Sequence, residues 1–158
     1  MPRGGNLQTP EPASAAPFEI DPREPDSYYQ LGRIEREPGR YAEALEHCRT
    51  AARLDDKHST GEVWREIGVA SFPAGDLEAS RQALEKYRHR RPCDPKGACR
   101  HGRVLAALGQ SGRARAAFQE AIEAVRTMPP ARRRQVHSWE AEARRDLKKL
   151  PASAAPAR

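Results

Sequence analysis

The sequence is poor in aromatic residues, in cysteine and in apolar runs, and each scarcity excludes something. Phe, Trp and Tyr together supply 6% of the 158 residues, too few for rows of base-stacking platforms of the kind that hold single-stranded nucleic acid. The three cysteines, Cys48, Cys93 and Cys99, are odd in number and irregular in spacing. They make no disulfide framework, which fits a reducing compartment. The opening stretch "MPRGGNLQTPEPASAAPF" contains no long apolar run, so no secretory signal is expected. No segment approaches the roughly 18 consecutive apolar residues of a membrane span. The expected location is therefore cytoplasmic, with no membrane partner. β-branched residues are sparse and never alternate with polar ones over a useful length, so no sheet is expected. The apolar share is itself low, 37% against about 45–50% for a typical compact domain. An elongated protein with a thin core accommodates such a composition.

Charge is what the chain has in quantity. Charged residues make up 32% of it, with a formal net charge of +6, which raises the prospect of an acidic partner. The 14 prolines gather towards the ends. Residues 1–24 and 151–158 are rich in Pro and Ala and cannot bury a face, so both are read as disordered tails. Between them Ala, Leu, Arg and Glu dominate, which predicts helix throughout.

The glycines inside that helical stretch carry the architecture. Gly32 and Gly39 are seven residues apart, as are Gly68 and Gly75, and Gly102 and Gly109; the pairs follow one another at 36 and then 34 residues. Five residues after the second glycine of each pair stand the small residues Ala44, Ser80 and Ala114. Four further on stand Cys48, Leu84 and Phe118, and three beyond those Ala51, Tyr87 and Ala121. Such a register marks a repeat array. Each unit reads as two antiparallel helices, over about 26–38 with 41–54, 61–73 with 77–90, and 96–108 with 111–126. The first glycine permits close approach of the two helices, and the second ends the first helix in the left-handed conformation. Two irregularities stand out. Ser59 and Thr60 are extra and predict a longer link between the first two units, and Pro73 predicts an early end to the helix it follows.

This pattern resembles the tetratricopeptide repeat, W-x2-L-G-x2-Y followed by A-x3-F, A and P over 34 residues. The first unit matches through Tyr28, Leu31, Gly32, Gly39, Tyr41, Ala44 and Ala51. The second matches through Trp64, Ile67, Gly68, Gly75, Leu84 and Pro92, departing at Ser80 and Tyr87. The third keeps Gly102, Gly109, Ala114, Phe118 and Ala121. Ala98 and His101 stand where the family places large apolar residues, so the third unit is expected to be the loosest. The resemblance implies an all-α TPR-like α-α superhelix, or solenoid, of three helix-turn-helix repeats over residues 25–58, 61–94 and 95–128. Val136, Trp139, Ala143, Leu147 and Leu150 form one helical stripe, and residues 129–150 are expected to cap the array.

The resemblance also implies a function: protein–protein interaction, with a peptide or partner protein bound in the concave groove lined by the first helix of each pair. By register that groove carries Tyr29, Arg33, Arg36, Arg65, Val69, Phe72, Lys96, Arg100 and Arg103. Six of these nine are cationic and suit a ligand with acidic residues or a free carboxylate, with Tyr29 and Phe72 as apolar anchors. Some relatives grip chaperone C-termini with a clamp of basic and Asn residues; Lys96 and Arg100 match two clamp positions, while Tyr29, Arg33 and Glu66 depart from it. The same arginines read equally well as a solvated surface.

No nucleophile elbow, phosphate loop or H-E-x-x-H motif is present, so no enzyme activity and no cofactor are expected. His89, Cys93, Cys99 and His101 cluster in sequence, but their spacing is not that of a zinc site, and no metal is expected. A second functional reading is non-specific nucleic-acid binding. Residues 126–150 hold eight basic and three acidic side chains, enough to neutralise phosphates, although a solvated basic face is the expectation and a nucleic-acid partner is not. Oligomeric state is not legible.

Overall fold

The computed structural model describes residues 21–152 and contains seven α-helices and, among the described residues, no strand. They are α1 (Pro25–Arg36), α2 (Tyr41–Leu54), α3 (His58–Ser71), α4 (Leu77–Arg90), α5 (Pro95–Ala107), α6 (Ser111–Thr127) and α7 (Pro130–Lys149). The predicted tails lie largely outside the described residues. Where they enter, the Glu24 amide closes a turn on the Asp21 carbonyl at 3.0 Å, and Arg115 donates to the Pro151 carbonyl at 2.8 Å.

Successive helices pack as hairpins, α1 on α2, α3 on α4 and α5 on α6. The hairpins stack in sequence order, and α7 lies against α6 and α5. The result is an all-α tetratricopeptide-like solenoid. The glycines do what their spacing predicts. A β-carbon at Gly32 would overlap the Cys48 thiol; at Gly68 it would lie 2.6 Å from Leu84 Cγ, and at Gly102 2.7 Å from Phe118 Cε1. The turn glycines Gly39, Gly75 and Gly109 adopt φ of 85°, 84° and 74°, a region costly to residues with a side chain.

The departures from the repeat pattern are compensated by their neighbours. Ser80 is fully buried and its hydroxyl donates to the Gly68 carbonyl at 2.6 Å, so the extra oxygen is satisfied where alanine would sit. Tyr87 fills its slot because Gly97 opposite leaves room for the ring, and its hydroxyl donates to Asp94 Oδ2 at 2.7 Å.

Two expectations are corrected. Ser59 and Thr60 do not lengthen a link: α3 begins at His58, and Gly61 with φ 81° joins this extra turn to the rest of the helix. The third unit is not thinly packed either. Ala98 and His101 are 2% and 3% exposed: Ala98 belongs to a cluster with Phe118 and Ala143 of α7, and His101 is covered by Arg88 and Glu85 of α4. As Pro73 predicts, α3 stops at Ser71.

Candidate functional site

Contacts between α1, α3 and α5 gather part of the predicted set: Arg36, Arg65 and Arg100 lie around Glu66, and Val69, Phe72, Arg100 and Arg103 line one cleft, while carboxylates engage three of the six predicted cations. On α1, Arg36 places Nε 3.0 Å from Glu66 Oε2 and its NH2 2.9 Å from Glu37. On α3, Arg65 grips Glu66 at 3.0 Å and Glu62 at 3.4 Å. Burial works against the Arg65 charge, but Glu66 and Glu62 hold its pKa above the ordinary value. Glu66 is itself 4% exposed and sits between the two guanidinium groups, which makes its burial affordable. On α5, Arg103 reaches across to α7 and bonds Glu142 at 2.5 Å and Asp146 at 2.6 Å.

Three cations of the face differ. Among the described residues, Arg33, Lys96 and Arg100 have no carboxylate partner. Arg33 stacks 5.8 Å above the Tyr29 ring and bonds Gln30 at 3.2 Å. Lys96 is half-buried. Arg100 lies 5.1 Å over the Trp139 ring, and burial together with the neighbouring Arg65 charge lowers its pKa. It is a partly desolvated cation that no carboxylate among the described residues bonds directly, although Glu66 and Asp94 act on it from further away.

Arg100 also walls a cleft of about 170 Å³ lined by Gly68, Val69, Phe72, Leu84, Arg103 and Val104. The cleft is mainly apolar. Phe72 at its rim is 38% exposed, large for an aromatic ring in a protein so short of them. An apolar side chain therefore has a receptacle here with one unmatched positive charge beside it.

Tyr29 is placed differently from its predicted role as an exposed anchor. It is 3% exposed, its hydroxyl donates to Glu62 Oε2 at 3.2 Å, and burial with the Glu66 and Glu62 charges pushes its pKa up to about 12. It is a core residue that buttresses α1 on α3. The predicted excess of six cations is likewise reduced, because Glu62, Glu66, Glu142 and Asp146 stand among them. Glu62 and Glu66 were findable, since they share a helical face with Arg65 and Val69 at spacings of three and four. Glu142 and Asp146 were not, since their contact with Arg103 depends on how α7 docks.

The histidine–cysteine cluster is dispersed. His89 and Cys93 are exposed, whereas Cys99 and His101 are buried. His101 Nδ1 lies 2.7 Å from an Arg88 nitrogen, and burial with the Arg88 charge pushes its pKa down to about 4. Among the described residues no group of three or more metal-ligating side chains converges. No helix among them is long and apolar enough to cross a membrane.

The profile of the tetratricopeptide repeat family matches residues 13–59, 29–98 and 99–158. The chain belongs to the tetratricopeptide repeat family. No curated protein matches it. Among solved structures, this tetratricopeptide protein is similar to PcrH from Pseudomonas aeruginosa, at 17% identity and a TM-score of 0.71 over 87% of this chain and 99% of PcrH. PcrH in complex with the chaperone binding region of PopD is also similar, at 17% identity and a TM-score of 0.69 over 78% of this chain and 87% of that one. So is the first tetratricopeptide repeat domain of Spaghetti (RPAP3) bound to the HSP90 peptide SRMEEVD, at 15% identity and a TM-score of 0.67 over 82% and 92%. At such identities the likeness is one of fold.

Proposed function

We propose that this tetratricopeptide array is a protein-interaction scaffold that holds a segment of a partner protein in its concave face, without chemistry of its own. The segment presents an apolar side chain to the cleft between α3 and α5 and a carboxylate to Arg100. The observation that carries the reading is Arg100 itself: a half-buried guanidinium, stacked on Trp139 and beside Arg65, with no carboxylate partner among the described residues. A carboxylate arriving there gains a charge-assisted hydrogen bond worth about 1.5–3 kcal/mol. Arg36, Arg65 and Arg103 are already matched and act as scaffold; Arg33 and Lys96 flank the site as further contacts. Similar folds that hold the PopD segment and the acidic peptide SRMEEVD support a peptide ligand.

Fluorescence polarisation with labelled heptapeptides tests this, using SRMEEVD, an apolar–acidic series and its amide-neutral counterparts. The apolar–acidic peptides are expected to bind best, with Arg100→Gln and Phe72→Ala each weakening them at least about tenfold. Equal binding of the neutral series, or an unchanged affinity for Arg100→Gln, would sink the reading.

A further inference from the structure

A separate surface lies on the far side of α7. The helix carries all three acidic residues of the C-terminal region, and the fold turns them away from its outer stripe. Glu142 and Asp146 face α5 and bond Arg103; Glu140 lies to one side, paired with Arg144 at 2.7 Å. What remains outward is Arg134, His137, Ser138, Ala141, Arg145 and Lys148, all exposed and recurring at helical spacing along one side, with no acid among them. Arg145 touches only the outer oxygen of Asp146, at 3.7 Å. From Arg134 to Lys148 the stripe runs about 21 Å at the helical rise per residue.

The stripe widens at its start. Pro130 through Gln135 are exposed, and the first turn of α7 contains no acidic residue. Arg133 donates to the carbonyls of Arg126 and Met128 at 2.8 and 3.1 Å, which holds the backbone of the exposed Arg126 against the start of α7. Among the described residues, Arg126, Arg132, Arg134 and Lys148 have no carboxylate partner. Cations at a helix N-terminus oppose the macrodipole and cost a few tenths of a kcal/mol or more each, so this arrangement does not serve the stability of α7.

We propose that the outer face of α7, with the adjoining Arg126, docks the phosphate backbone of double-stranded nucleic acid. The surface lacks the apolar anchors that carry protein interfaces and amphipathic membrane helices; Trp139 and Leu147 are packed towards the array. It also lacks an aromatic platform for unpaired bases. Guanidinium and ammonium groups in a row need only phosphates, and the binding they support is independent of sequence.

The test is fluorescence anisotropy of the full chain with a labelled random-sequence DNA duplex, across a salt series. With about four phosphates engaged, affinity should fall about a hundredfold between 50 and 200 mM salt. The triple change Arg134→Gln, Arg145→Gln and Lys148→Gln should weaken binding at least about tenfold and flatten the salt slope, with helical circular dichroism unchanged. Arg33→Glu, on the opposite groove, should leave duplex binding intact, so this result and the peptide result separate cleanly. No duplex binding at low salt, or a triple variant that folds and binds like the parent, would overturn the proposal. Tighter binding to a single strand, to polyglutamate or to phosphatidylserine vesicles than to the duplex would also overturn it.

Discussion

The first and third hairpins share one pattern and bury it very differently. In the first, α1 buries only Tyr29 and Gly32, and the crossing at Gly32 is closed by the thiol of Cys48; Ile34 on the same helix is 51% exposed. In the third, α5 buries eight residues from Pro95 to Leu105, and its crossing at Gly102 is closed by the ring of Phe118, 1% exposed. The pattern makes a hairpin, but the neighbours decide how much of it is core. Among the described residues, α5 is covered by α4, α6 and α7, whereas α1 meets α2 and part of α3. In an array whose stability is a sum over adjacent units, the hairpin with the smaller described interface is expected to be the weaker one.

The largest expected contrast comes from emptying the two crossings. Phe118→Ala should cost about 3–5 kcal/mol and Cys48→Ala about 1 kcal/mol, measured by urea unfolding. Native-state hydrogen exchange should show α1 and α2 opening before α5 and α6; equal protection would dissolve the contrast.

Acid should act on the third hairpin. His101 is held neutral in the fold, with its pKa pushed down to about 4 from 6.5, while an unfolded chain takes up its proton near 6.5. Stability is therefore full above about pH 6.5 and declines as pH falls towards 4, by up to roughly 3 kcal/mol. His101→Gln should remove most of that decline, and a variant that keeps the same pH profile would refute the assignment.

Gly32→Ala, which forces a β-carbon onto the Cys48 thiol, should cost about 1–3 kcal/mol. Adding Cys48→Ala should return part of it, and a double-mutant cycle reads the coupling. Additive costs would mean that the thiol is not the obstacle.

The smallest effect concerns thiol reactivity. Cys93 is exposed and should react with a thiol probe at once. Burial pushes the Cys48 and Cys99 thiols up to about 12 and about 11, so both should wait for local opening. Cys48, in the less covered hairpin, should react before Cys99 despite its higher pKa; the reverse order would place the weak end elsewhere.

Helix boundaries and hairpin partners were legible because a tight crossing or a left-handed turn demands glycine from the immediate chain, wherever the rest lies. Gly61 shows the limit: it reads as a helix start, yet the two extra residues before it add a turn to α3. Ala98 and His101 read as poor fillers because a slot's volume belongs to all the helices around it. The groove was half legible. Val69, Phe72, Arg100 and Arg103 gather around one cleft while Tyr29 joins the core, and the charges do not survive assembly intact: Arg36 meets Glu66 thirty residues on, and Arg103 meets Glu142 and Asp146 about forty residues on.

By itself the order of residues determined that this chain makes paired helices stacked in a row, since backbone clearance is a local requirement that only particular residues meet. Which of its cations meet a carboxylate on another helix was decided by the tertiary structure. Arg65 meets Glu62 and Glu66 on its own helix, but the partners of Arg36 and Arg103 are distant in sequence, so only the docking of α3 against α1 and of α7 against α5 determines that these two are matched while, among the described residues, Arg100 has no carboxylate bonded to it.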